Sequence, residues 1–210
     1  MNDLKTISDN IRGILDEKNR AREEARRLSR EASRHAANAI RAIHRCQWDE
    51  AESLMAEARS RVQAVKELLK GHPDIYFAGY TQDAQKEYAE SELTMAIVRG
   101  RELKTPEDLG VEPAPFLNAL GEAIGETRRH ILDVMRKGDL ARAEEILDIM
   151  DDVYFALVTF DYPDAITNGL RRTTDMVRGV LERTRSDLTI TMRQADLEKS
   201  IASAVERIRT

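Results

Sequence analysis

Few residues in this 210-residue chain can stop a helix, and they stand in groups. Lys70-Gly71 with Pro73, Gly100-Arg101, Pro106, Pro113 with Pro115, Lys137-Gly138 and Asp161-Tyr162-Pro163-Asp164 are its punctuation. Proline lacks the amide that a helix interior needs, and glycine closes helices in left-handed backbone. Between these groups apolar residues recur three and four apart, the period of amphipathic helices. Aromatic residues make up only 5% and charged residues 34%, which suits long helices and not a sheet. The reading is an all-α chain, one domain over residues 1–210 with about six to seven long helices.

The first helical stretch runs from about Asp3 to Arg45. Leu4, Ile7, Ile11, Ile14 and Leu15 form its opening stripe, which continues in small residues at Ala21, Ala25, Leu28, Ala32, Ala36, Ala39, Ile40 and Ile43. Small residues let a neighbouring helix approach closely. The same stretch carries Arg20, Arg22, Arg26, Arg27, Arg30, Arg34 and His35, with Glu23, Glu24 and Glu31 at compensating spacings. That row is either a solvated face or a phosphate-binding stripe, since the guanidinium fork suits phosphate oxygens. A second helix follows Cys46-Gln47-Trp48-Asp49, with Asp49 as its cap, and a third spans about Ile75 to Arg101. Thr105-Pro106 opens a capped turn. Pro113 and Pro115 open a fourth long helix to about Lys137, with Phe116, Leu117, Leu120, Ile124, Ile131, Leu132 and Met135 on its core face. Gly121 and Gly125 in that helix would allow a close neighbour. Asp139 caps a strongly apolar helix from Ala143 through Phe155 and Val158. The last helix, with Leu170, Met176, Val177, Val180, Leu181, Leu188, Ile190, Met192 and Leu197, runs close to the C-terminus as a polar tail from Arg193 to Thr210. Gly179 and Thr189-Ile190-Thr191 mark places for a bend or an interruption in it.

The net charge of −5 and pI near 5.5 give no global field for nucleic acid, so any such contact must be local. Cys46 is the only cysteine, which excludes an intrachain disulfide and a cysteine-based zinc site and fits a reducing cytoplasm. No apolar run reaches the ~18 residues of a membrane span, and the opening residues Met1 to Lys5 have no signal-peptide hydrophobic region. Glycine-rich phosphate loops, nucleophile elbows and H-E-x-x-H are missing. His35, His44, His72 and His130 are scattered; His130 stands four after Glu126, where di-iron bundles place it three after.

Two carboxylate pairs remain. Glu87 and Glu90 lie three apart in Gln85-Lys86-Glu87-Tyr88-Ala89-Glu90, on one helix face flanked by apolar residues. Glu122 and Glu126 lie four apart in the fourth long helix. Like charges so placed cost a few tenths of a kcal/mol on an exposed helix and more when partly buried. A divalent cation would relieve that cost, and two helices with two carboxylates each could form an all-oxygen site for Mg²⁺ or Mn²⁺. Such an ion polarises a phosphodiester and activates water. Ordinary solvated helix glutamates are the plain alternative.

The order of these pieces resembles the translin and translin-associated factor X family over nearly the whole chain. The resemblance is carried by Lys18 to Arg27, by Gln85 to Glu90 (similar to Q-E-Y-V-E-A), by Phe116-Leu117 through Gly125-Glu126-Thr127-Arg128-Arg129 (similar to Y-L-x-G…G-E-L-x-R), and by Asp139 with Val180 to Leu188. It implies a helical protomer in a closed homo-oligomeric shell, commonly an octamer, that handles RNA on its inner surface. The factor X branch is a metal-dependent endoribonuclease, and translin-type subunits lack its acidic cluster. Glu87, Glu90 and Glu126 match that cluster, and Glu122 stands where the pattern has aspartate. The expectation is a Mg²⁺- or Mn²⁺-dependent cytoplasmic endoribonuclease acting preferably on single-stranded RNA. Glu87, Glu90, Glu122 and Glu126 would serve as catalytic metal ligands, and Arg20, Arg22, Arg26, Arg27, Arg30 and Arg34 as phosphate contacts. A non-catalytic shell binding RNA or single-stranded DNA is the second reading, and a purely structural helical scaffold the third.

Overall fold

The computed structural model describes Asp3 to Arg209; Met1, Asn2 and Thr210, the last residue of the tail, lie outside the described residues. Among these residues the chain is all-α. Six helices are long: α1 (Leu4–His44), α2 (Trp48–Leu68), α4 (Gly79–Arg99), α6 (Pro113–Arg136), α7 (Leu140–Leu157) and α9 (Leu170–Arg209). Three are single turns: α3 (Pro73–Tyr76), α5 (Pro106–Leu109) and α8 (Asp164–Thr167). By internal contacts the chain forms two units. One holds the chain up to Leu93 with Lys104–Ala119; the other holds Thr94–Leu103 and the chain from Leu120 onward. Helices α4 and α6 each run unbroken from one unit into the other.

In the first unit α1 packs along α2. Helix α1 buries Ala25, Ala32, Ala36, Ala39 and Ala42 completely, and α2 buries Ala51, Met55, Ala58, Val62 and Val65. Alanines on the contact face bring helix axes close, so the expected small-residue stripe does what its composition allows. Glu31 on α1 reaches Arg61 of α2 at 3.0 Å. The opening stripe behaves differently: Leu4, Ile7, Ile11, Ile14 and Leu15 are all exposed, Leu4 at 75%.

The expected third helix is divided. Pro73 starts α3, Phe77 and Ala78 interrupt the run, and Gly79 starts α4. Side chains stabilise the break by bonding to carbonyls that a helix end leaves open. Thr81 Oγ1 donates to the Ile75 carbonyl and Gln82 Nε2 to that of Tyr76. Asp49 is not a cap, because Trp48 already begins α2; Gln47 takes the cap position without a side-chain bond, after Cys46 turns the chain at φ 56°. Thr105 and Asp108 form a reciprocal capping box on α5.

In the second unit α9 packs against α7 and α8. Gly138, at φ 83°, ends the run before α7 in a backbone region that a side chain would strain. It leaves Asp139 to cap α7 by accepting from the Arg142 amide. No interruption occurs: α9 is continuous through Gly179 and Thr189-Ile190-Thr191. Thr189 and Thr191 donate to the carbonyls four residues back, which lets polar β-branched residues sit inside a helix. Phe155 and Val158, part of the strongly apolar run read in the sequence, are 62% and 47% exposed. The buried face of α7 is Ala143, Ile146, Leu147, Met150, Val153 and Leu157, and Phe155, two positions from either end of that last pair, points to the other side. Leu132, Met176, Ile190 and Leu197 likewise lie off the buried faces.

The two glycines of α6 differ. A Cβ on Gly121 would stand 2.4 Å from Thr173 Cγ2 and 3.3 Å from Val177 Cγ2 on α9, whereas one on Gly125 meets nothing within 4 Å. The close neighbour of Gly121 is therefore α9. Gly121→Ala should destabilise the protein by about 1–3 kcal/mol, while Gly125→Ala should be neutral or stabilise by up to about 1 kcal/mol. Urea unfolding midpoints of the two variants check this, and equal shifts would contradict it.

Candidate metal centre

Helix α4 is buried on nearly all its faces: Ala84, Gln85, Tyr88, Ala89, Glu90, Ser91, Leu93 and Thr94 are all in the interior. Glu90 is only 6% exposed. An ionised carboxylate there is costly unless cationic or hydrogen-bonding groups answer it.

The residues around Glu87 and Glu90 are held in place by a polar frame. Gln85 Oε1 accepts from the Glu112 amide at 2.8 Å, and the Tyr76 hydroxyl donates to Glu112 Oε1 at 2.8 Å. The Tyr88 hydroxyl donates to Glu92 Oε1, and Glu92 is paired with Lys104 at 2.6 Å. Burial pushes the Tyr76 hydroxyl up to about 12, with its Glu112 partner adding to the shift. Burial, then the charge of Glu92, raises Tyr88 further still.

One carboxylate oxygen from each of Glu87, Glu90 and Glu122 lies within 4.8 Å of the other two. Glu87 and Glu122 are half-buried. Opposite ligands of a Mg²⁺ octahedron stand roughly 4.2 Å apart, twice the ~2.1 Å bond, so a single ion needs only a small inward movement of flexible glutamate side chains. The donors are hard carboxylate oxygens, a set that suits Mg²⁺ or Mn²⁺. The residues present therefore fit such an ion. Glu126, one helical turn beyond Glu122 and also half-buried, is outside this trio.

Lys86 is a further member of the neighbourhood, its Nζ 3.6 Å from Glu87 Oε1. Spacing gives no signal for it, because adjacent helix residues do not face each other. Arg128 is another: it bonds Thr184 at 2.9 Å and Asp187 at 2.7 Å, tying α6 to α9 six residues after Glu122. Both partners come from a distant part of the chain, which sequence spacing does not reveal.

Of the six arginines of α1 expected to contact phosphate, five are exposed and Arg26 is half-buried. Arg27 is committed to Glu24 and Glu31, at 2.6 and 2.5 Å. Arg22 and Arg26 share Glu23 at 2.5 and 3.7 Å. Arg20, Arg30 and Arg34 form no ion pair among the described residues.

The raised tyrosines carry a pH dependence. A folded-state value above the unfolded value of about 10 means that the neutral form is favoured in the fold. The stabilisation is complete below pH about 10 and is lost as pH rises toward about 12. Absorbance titration of the phenolates should show Tyr76 and Tyr88 ionising late, with unfolding setting in over that range; Tyr76→Phe should remove one late phenolate. A titration with no late phenolate would contradict the frame.

No family model matches the chain. An uncharacterised protein of Methanocaldococcus jannaschii, MJ0175, is 31% identical over 189 residues, covering 89% of this chain and 83% of that protein. Among solved structures, AfC3PO in complex with duplex RNA is similar at a TM-score of 0.83 and 35% identity, over 89% of this chain and 96% of that one. A crystal structure of AfC3PO gives 0.82 and 34%, over 89% and 97%. Apo-NeC3PO gives 0.72 at 20% identity, over 91% and 98%, a likeness of fold alone. With this identity spread over nearly the full length of these proteins, the chain belongs to the C3PO family, of translin and translin-associated factor X type.

Proposed function

We propose that this protein is an RNA-binding, Mg²⁺- or Mn²⁺-dependent endoribonuclease, acting preferably on single strands inside a homo-oligomeric shell. The observation that carries the reading is the convergence of Glu87, Glu90 and Glu122 in a chain 35% identical to AfC3PO, which has been solved with duplex RNA. Glu87, Glu90 and Glu122 would hold the ion, which when bound supplies positive charge to a phosphodiester and acidity to water. Glu126, one turn further along α6, would orient the attacking water and accept its proton. The oxygen then forms the new bond to phosphorus as the bond to the leaving oxygen breaks. Arg20, Arg30 and Arg34, without carboxylate partners, are the readiest phosphate contacts; Arg22 and Arg26 exchange a shared partner, and Arg27 is the most occupied.

The exposed stripe from Leu4 to Leu15 on α1, and Leu197, Ile201, Val205 and Ile208 on α9, are apolar faces that further copies would cover, as an octameric shell requires. The chain is read as one translin-like domain over residues 1–210. Two of the three boundaries between its units fall inside the continuous helices α4 and α6, and the third, Leu103/Lys104, lies in the stretch between α4 and α5. The exposed, unbridged Cys46 suits the cytoplasm, and no described helix is long and apolar enough to cross a membrane. One observation favours the non-catalytic reading, a shell that only binds RNA or single-stranded DNA. Lys86 beside Glu87 already gives the carboxylates a counter-charge.

Cleavage of a labelled single-stranded RNA separates the two. Wild-type protein should cut with Mg²⁺ or Mn²⁺ and not with EDTA. Glu90→Gln should lose on the order of a hundredfold or more, about 2.7 kcal/mol, while its oligomer and RNA affinity persist. Equal cutting by both proteins would discard the carboxylate site, and binding without cutting by either would establish the non-catalytic shell.

A further inference from the structure

We propose that a cleft at the N-terminal end of the cationic row on α1 captures one unpaired nucleotide of a bound RNA strand. This rests on the RNA-binding reading above and adds a base-recognition site to it. The cleft has a volume of about 340 Å³, within the range of small-ligand sites. Leu15 and Asn19 of α1 line it on one side, and Ile75 and Tyr80 on the other. The Tyr80 side chain packs on the apolar cluster of Ala25, Leu28, Val65, Leu69 and Ile75, which fixes its ring. Its hydroxyl oxygen is buried and has no hydrogen-bond partner, a state that a ligand group would relieve. An aromatic ring and apolar walls suit the face of a base. The Asn19 amide, exposed at the cleft, offers both a donor and an acceptor to a base edge.

Charge leads a strand to this place. Lys18 and Arg22 also line the cleft, and they begin a row that continues every fourth residue through Arg26, Arg30 and Arg34. Four residues advance about 6 Å along a helix while drifting about 40° around it, a spacing comparable to that of successive phosphates on one strand. Lys18 is paired with Asp74 at 2.6 Å and Arg22 with Glu23 at 2.5 Å. All four side chains are largely exposed, so phosphate can replace these carboxylates at little cost. Arg20 and Arg27 lie off the row.

The test is a double-mutant cycle between protein and RNA. Labelled single-stranded oligonucleotides, each with one abasic position, are bound to wild-type protein, Asn19→Ala and Tyr80→Phe, with circular dichroism confirming the folds. One abasic position should weaken wild-type binding about tenfold, the scale of one lost base stack. Each variant should weaken the intact RNA several-fold and add nothing further at that abasic position. Arg34→Ala, far along the row, should add its own loss to every oligonucleotide. If wild type binds none of the RNAs, the RNA reading itself falls. If it binds them all alike and the variants match it, the cleft alone is overturned. A change of oligomer size in the variants, without change in RNA affinity, would also overturn it and make the cleft a seat for another copy.

Discussion

The carboxylate of Glu90, 6% exposed on a helix buried nearly all round, sets the terms for its surroundings. A charge in that position must be met by other charges and hydrogen bonds, or it must be neutral. A polar frame holds α4 alongside it. Gln85, Tyr76, Glu112, Tyr88, Glu92 and Lys104 form short contacts that orient the helix and leave few buried polar groups open. Glu87 and Glu122 add two more carboxylates instead of dispersing the charge. A sequence selected for stability alone would place an apolar residue at position 90. Oxygens of three carboxylates within 4.8 Å of one another form a group that could hold a cation.

Much of the fold was legible because its punctuation is chemical. Gly138 with Asp139, and Thr105 with Pro106, are recognisable stops and caps, and the alanine stripe of α1 announces a close partner. The failures have specific causes. The third helix breaks at Phe77 and Ala78, where Thr81 and Gln82 bond to carbonyls six residues back, a side-chain pattern that helix propensity does not contain. Gly179 and Thr189-Ile190-Thr191 look like an interruption, yet hydroxyl-to-carbonyl bonds let α9 continue. Phe155 is apolar but on the wrong face of α7, an error of taking composition for periodicity.

The candidate site was legible in part, for the same reason. Glu87 and Glu90 share a helix face by spacing, so their proximity follows from one dimension of the chain. Glu122 is brought to the other two by the fold and by no spacing in the sequence, and of the glycines read as allowing a close neighbour, Gly121 accommodates Thr173 of α9 while a Cβ on Gly125 would meet nothing within 4 Å. Lys86, Arg128 and Tyr80 escaped notice because their significance lies in partners, or in an unmet hydrogen bond, visible only in three dimensions. The apolar stripe of α1 was readable as amphipathic. That it would remain uncovered in the single chain was not.

The central claim is that the three carboxylates form a divalent-cation site, and anomalous diffraction from crystals grown with Mn²⁺ tests it most directly. The account predicts a peak coordinated by Glu87, Glu90 and Glu122, absent from crystals of Glu90→Gln. A fully ordered site at millimolar Mn²⁺ with no peak, and with Lys86 as the only cation beside Glu87, would contradict it.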